Sequence, residues 1–108
     1  MREAVSKSII YESSTFEKAN YLINNSPLRI ALVVNKKNKL KGIVTTGDLR
    51  KGMLKYLDKT ISIKLVMNTN PITCTVENRN SKSKSFFSEK KLTHLPVLNN
   101  NGEIVDVE

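Results

Sequence analysis

At 108 residues the chain can hold one small domain, or two very small repeats sharing a core, and it is too short for most enzymes with separate substrate and cofactor domains. Apolar residues make up 39% and charged residues 26%, a globular composition; the longest apolar run, residues 30–34, falls far below the ~20 that a membrane span needs, and residues 1–7 lack the apolar stretch of a signal peptide. The single cysteine, Cys74, excludes an internal disulfide and points to a cytoplasmic setting, while the net charge of +8 raises the question of an anionic partner.

In chain order, residues 8–12 read as a short strand. Ser14, Thr15, Phe16 and Glu17 read as a capping box, with the Ser14 hydroxyl capping the third helical N–H and Glu17 reaching back. Phe16, Ala19, Leu22 and Ile23 then recur at helical spacing, and Pro27 ends that helix at Asn25 or Ser26. Residues 30–34 are a buried strand, 35–39 a polar turn and 40–45 the return strand of a hairpin. Leu49, Gly52, Met53, Tyr56 and Leu57 predict a helix with one buried stripe, starting near Thr46 or Asp48. A short helical segment at 62–67, a turn at 68–71, a strand at 72–76 and a helix at 81–90 follow.

The most informative feature is an internal repeat. A gapless shift of 64 residues lays residues 30–35 over 94–99, Leu40 over Ile104, Ile43 over Val107, Leu22-Ile23 over Phe86-Phe87, and Leu28 over Leu92. Strand, helix, strand, turn, strand therefore occurs twice, and copies this small must pack together to bury their sheets. The copies differ: Asn80 and Ser83 replace Phe16 and Ala19, which strips the second helix of half its apolar stripe, and Asp106 stands where the first copy has Gly42. Partners for Thr45, Asp48 and the helix at 49–57 would lie beyond residue 108, so the natural polypeptide is expected to continue.

These residues resemble a tandem pair of cystathionine-β-synthase (CBS) domains, a Bateman module. The resemblance is carried by Gly42-Ile43-Val44-Thr45-Thr46-Gly47-Asp48-Leu49, by His94-Leu95-Pro96-Val97-Leu98, and by the join at residues 66–73. It implies an α+β fold of two tandem β-α-β-β-α repeats packed together, 1–60 and 61–108, the second truncated before its last helix. Thr46-Gly47-Asp48-Leu49-Arg50-Lys51-Gly52, with the Gly102–Glu108 ending, is similar to CBS pairs that precede sugar-phosphate nucleotidyltransferases. That likeness implies a non-catalytic regulatory part of such an enzyme, a C-terminal catalytic domain, and a homodimer formed through the CBS pairs.

The motif has its own physical reading. A helix that begins near Asp48 presents unpaired N–H groups and a partial positive charge, which favour a phosphate. Thr45 offers a hydroxyl to the same oxygens, and Asp48 offers acceptors to a ribose diol. Thr46 lies beside them, Arg50 and Lys51 are cations for further phosphates, and Ile9 and Ile10 are apolar flanks for a base. The family implies Thr45 on phosphate and Asp48 on ribose, with AMP, ADP or ATP as the ligand. The competing reading makes Asp48 an ordinary cap and Thr45 an ordinary turn residue, in a structural or dimerisation module with no functional ligand site.

Residues 1–60 carry 12 basic and 5 acidic side chains, whereas residues 61–108 carry 6 and 5. The excess gathers at Lys36, Lys37, Lys39 and Lys41, and at Arg50, Lys51 and Lys55. Such a local patch suits one phosphorylated ligand. The near-neutral second half and the absence of interleaved aromatics argue against nucleic acid. Cys74 and His94 do not make a metal-ligand set and read as core or strand-face residues; Phe86 and Phe87 also read as core.

Overall fold

The computed structural model describes residues 1–89 and 94–108. Helix α1 (Glu3–Ser6) precedes strand β1 (Ile9–Tyr11), helix α2 (Phe16–Asn25), strands β2 (Ala31–Val34) and β3 (Leu40–Val44) and helix α3 (Thr46–Tyr56). A 3-10 turn (Ile63–Leu65) leads to β4 (Cys74–Thr75), α4 (Arg79–Glu89), β5 (Pro96–Leu98) and β6 (Ile104–Val107). The strands form two three-stranded sheets, β1-β2-β3 and β4-β5-β6, each with one parallel and one antiparallel pair. This is the α+β architecture of two like units that the repeat predicts.

The 64-residue shift holds down to backbone detail. β2 slips against β3 between Val33 and Val34, and β5 slips against β6 between Val97 and Leu98, which the shift superposes. Asn35 Oδ1 accepts from the N–H groups of Lys37 and Lys39, and Asn99 Oδ1 accepts from those of Asn101 and Glu103. In both hairpins an asparagine folds its carboxamide over the following backbone, the local chemistry that makes Asn a turn former.

All four β2 residues are buried, so the strand reads as an unbroken apolar run. Its alternation still sorts the side chains onto two faces. Ala31 and Val33 pack with Ile10, Phe16, Ala19 and Leu49 beneath α2 and α3. Leu32 and Val34 pack with Val5, Ile104 and Val107, so the two units share a core. The other face of the second sheet has a thin cover, in which Cys74, Leu95 and Val97 meet Phe87 and Val105. Phe86 and Phe87 are both only half-buried, and Lys82 Nζ lies 5.3 Å from the Phe86 ring. Polar residues where α2 has Phe16 and Ala19 leave α4 little apolar surface to bury.

Several local expectations are corrected. The N-cap of α2 is Thr15, whose hydroxyl accepts from the Lys18 N–H at 3.3 Å. Ser14 is buried, and its carbonyl takes the Ile63 N–H. The Phe16 and Glu17 N–H groups donate to the carbonyls of Ile61 and Lys59, so the segment after α3 closes this helix end in place of a Ser14–Glu17 box. Only one 3-10 turn forms within 62–67, and only Cys74–Thr75 of the strand expected at 72–76. In α3 the buried stripe ends early: Leu57 is a left-handed C-cap at φ 55° and is 78% exposed. Lys90, the expected end of the second helix, and Leu92, superposed on Leu28, lie outside the described residues.

Candidate functional site

Helix α3 starts at Thr46, one of the two starts expected, with Thr45 as N-cap in extended conformation. Thr45 Oγ1 accepts from the Asp48 N–H at 3.2 Å, and Asp48 Oδ2 accepts from the Thr45 N–H at 2.9 Å and from its hydroxyl at 3.0 Å. This reciprocal capping box satisfies two backbone donors, and the competing cap reading of Asp48 is a real part of its role. It does not use up the helix end. Leu49 N–H already donates to the Thr45 carbonyl. The N–H groups of Thr46 and Gly47 and the Asp48 Oδ1 atom have no hydrogen-bond partner among the described residues. Two free donors, a threonine oxygen and a free carboxylate oxygen thus meet at one positive helix end.

The remaining predicted residues do not converge on that point. Thr46 and Arg50 line a groove of about 320 Å³ with Phe16, Asn20, Asn24 and Met53. Asp48 lines a smaller hollow of about 120 Å³ with Lys51, Lys55, Tyr56 and Val66. At 100° per residue, positions 46 and 50 share a face that position 48 does not. Ile9 packs at the edge of the core between the two units, whereas Ile10 is buried beneath α2 and α3. Adjacent strand residues point to opposite faces, so Ile9 and Ile10 cannot flank the same base, and Ile10 is corrected to a core residue. A cation that the motif did not suggest stands at the same end of the sheet. Arg29, two residues before Ala31, which pairs with Val44, holds φ 59°, a rare backbone state for a long side chain.

The motif glycines have packing roles. A Cβ on Gly42 would lie 2.8 Å from the Asn68 carbonyl oxygen and 2.9 Å from Met67 Sδ. The close approach lets the linker pair with β3, where Ile43 and Asn68 exchange both N–H···O=C bonds. A Cβ on Gly52 would lie 2.9 Å from a Val66 methyl, so Gly52 seats α3 on the same linker.

Side chains do this work in the second unit, where Asp106 replaces Gly42. Asp106 accepts from Arg2 Nε at 2.9 Å and from Arg79 Nη2 at 2.6 Å. Arg79 also pairs with Glu108, through Nε at 2.6 Å and through Nη2, and Arg2 Nη2 donates to the Val107 carbonyl. Burial alone pushes the Asp106 carboxyl up, but hydrogen bonds from Arg79, the Val107 N–H and Arg2 outweigh it and hold the pKa at about 2. A folded-state value below the unfolded one means stability that is present above pH ~4 and lost as pH falls toward 2. Asp106→Asn is therefore expected to cost about 1–2 kcal/mol at pH 7, with the gap from the unsubstituted protein closing toward pH 2. Urea unfolding across pH 2–7 reads this; a pH-independent gap would sink it. The network joins residues 104 positions apart in sequence, and the one-dimensional signal for it is weak: acidic residues 106 and 108 on one side of a strand.

Cys74 is a buried free thiol that burial pushes up, away from nucleophilic use. Burial also lowers the half-buried His94 imidazole, against an opposing hydrogen bond with the Leu28 backbone. Among the described residues, no three His, Cys, Asp or Glu side chains are grouped to hold a metal ion, and no helix is long and apolar enough to cross a membrane.

The sequence profile of the CBS domain matches residues 3–55 and again residues 62–107. The chain belongs to the CBS-domain family. It is a tandem CBS pair, the type of domain that generally regulates rather than catalyses. It is 31% identical over 99 residues to a homoserine O-acetyltransferase from Methanococcus vannielii, spanning 91% of this chain and 20% of that protein. It is 27% identical over 82 residues to the arabinose 5-phosphate isomerase GutQ from Salmonella typhi, spanning 76% of this chain and 26% of that protein. The CBS pair thus covers a fifth to a quarter of these relatives. In fold it is similar to CBSX2, a structure in complex with AMP, with a TM-score of 0.77 at 19% identity over 93% of this chain and 78% of that one. The nucleotidyltransferase context implied by the Thr46-to-Gly52 resemblance finds no counterpart in these relatives, whose names are an acetyltransferase and an isomerase.

Proposed function

We propose that this CBS pair senses an adenine nucleotide at the N-terminus of α3 and conveys its presence to a catalytic domain of a longer cytoplasmic protein. The carrying observation is the helix end itself, where two free N–H groups, Thr45 Oγ1 and Asp48 Oδ1 lie together. The free donors and the helix dipole suit a phosphate, the free carboxylate oxygen suits a ribose hydroxyl, and Arg29 supplies a cation at the same sheet end. The AMP complex of the similarly folded CBSX2 supports the choice of ligand. Coupling follows if the nucleotide favours one arrangement of the two units, because a ligand shifts an equilibrium only through differential affinity. The Thr46-to-Gly52 likeness favours a sugar-phosphate nucleotidyltransferase as the regulated domain, while the names of the relatives favour an acetyltransferase or an isomerase.

Calorimetry with AMP, ADP and ATP tests the site. Asp48→Ala is expected to bind AMP at least tenfold more weakly than the unsubstituted protein. Asp48→Glu, which keeps a capping-box carboxylate at the third helical position, is expected to keep the fold while still weakening AMP. No binding by the unsubstituted protein, or equal binding by Asp48→Ala, overturns the reading.

A second reading makes the pair a dimerisation module. Its specific support is that Thr45 and Asp48 already cap the helix, while Tyr21, Leu54 and Leu57 stay more than 70% exposed. Light scattering would then give a dimer whose mass is unaffected by AMP.

A further inference from the structure

The 64-residue shift relates two contacts that are built differently. It lays Arg2 over Val66, Ala4 over Asn68, Gly42 over Asp106 and Ile43 over Val107. In the first unit the linker is fixed to β3 through its backbone, with Ile43 and Asn68 exchanging N–H···O=C bonds at 3.1 and 2.8 Å. At the equivalent place in the second unit, side chains meet the Val107 backbone. Its N–H donates to Asp106 Oδ1 at 2.8 Å, and its carbonyl accepts from Arg2 Nη2 at 2.6 Å. Residues 2–7 thus reach β6 through a guanidinium, where the linker holds β3 through paired backbone.

Their other anchor is Val5, fully buried between the units with Leu32 and Val34 of one sheet and Ile104 and Val107 of the other. Among the described residues, Arg2–Asp106 is the ion pair that joins residues 1–60 to residues 61–108. The Arg2 side chain is 57% exposed, so solvent weakens that pair. Helix α1 has four residues, and a helix so short does not persist once undocked. The far end of β6 is joined differently. There the Leu40 N–H donates to the Gly102 carbonyl at 3.1 Å, and Lys39 bridges Glu103, the residue that the shift lays over it. The units therefore meet through backbone at the hairpin turns and through side chains at the opposite end. Arg2 also walls a cleft of about 390 Å³ between Leu28 of the first unit and His94 and Asp106 of the second.

We infer that residues 2–7 form a releasable strap that closes the two units at the end away from the hairpins, with the hairpin contact as the hinge. Release breaks the Arg2 pair and withdraws Val5 while both sheets stay paired, and it opens the cleft between the units. The device stands on these contacts and not on the nucleotide reading.

The test is native-state amide exchange of the ¹⁵N-labelled protein in low urea. Ser6 and Lys7, whose N–H groups donate to the Arg2 and Glu3 carbonyls, report the strap. They are expected to exchange about 100-fold faster than Leu40 and Ile43 and with little urea dependence, the mark of a local opening. Arg2→Gln is expected to speed Ser6 and Lys7 about fivefold. Arg2→Gln/Val5→Ser removes both anchors. It is expected to keep both sheets folded and Leu40 slow, while residual dipolar couplings show the β4-β5-β6 sheet rotated against β1-β2-β3. The proposal is overturned if Ser6 and Lys7 share the rate and urea dependence of Leu40, or if Arg2→Gln leaves them unchanged. Unfolding of the double variant also overturns it, as does an unchanged sheet orientation, which would make the segment a frayed end.

Discussion

Leu32→Ala is expected to cost about 3 kcal/mol of folding stability, seen as a lower urea midpoint at an unchanged slope. Leu32 is fully buried in the core between the two units, with Val5, Ile104 and Val107. Its truncation removes apolar contact and leaves a cavity walled from both sides, where neither sheet can move in without disturbing its own strand pairing. Ile104→Ala, from the opposite sheet, is expected to cost a similar amount, and the double variant less than the sum, because both sites open the same space. A loss under about 1 kcal/mol for Leu32→Ala would mean that the two units fold without leaning on each other.

Gly42→Val is expected to cost about 2–3 kcal/mol, the range of a forced overpacking. The added carbon would meet a backbone carbonyl at 2.8 Å, and a backbone carbonyl in a paired linker cannot swing away as a side-chain end can. Gly47→Ala is the control from the same motif. Its added carbon meets only Thr45 Oγ1, at 3.7 Å, and alanine is the better helix former by about 1 kcal/mol. Gly47→Ala is therefore expected to be neutral or stabilising, which separates the packing demand on Gly42 from any general intolerance of the motif. Thermal or urea unfolding of both variants checks the pair; equal losses would refute the assignment to Asn68 and Met67.

Much of the architecture is legible in one dimension because its causes are local. The apolar run at 30–34 and the Asn35 and Asn99 turns carry their own geometry, and the same geometry recurs 64 residues on, bulge included. The weakness of α4 is equally readable from Asn80 and Ser83. The candidate site is legible in its two central members, Thr45 and Asp48, since a capping box needs only residues three apart. It is not legible in its periphery. Ile9 and Ile10 are neighbours in sequence and lie on opposite faces of β1, and Arg50 lies only half a turn from Asp48 and therefore borders a different groove.

The sequence by itself determined the repeat, the order of strands and helices and the start of α3, because these rest on periodicity, turn chemistry and capping over short spans. Only the tertiary structure decided which carbonyls close the N-terminus of α2, why Gly42 must lack a side chain, and that Arg2 and Arg79 meet at Asp106. Those outcomes depend on segments tens of residues apart being brought within a few ångströms. No local pattern encodes that approach; the burial of two apolar sheet faces against each other imposes it.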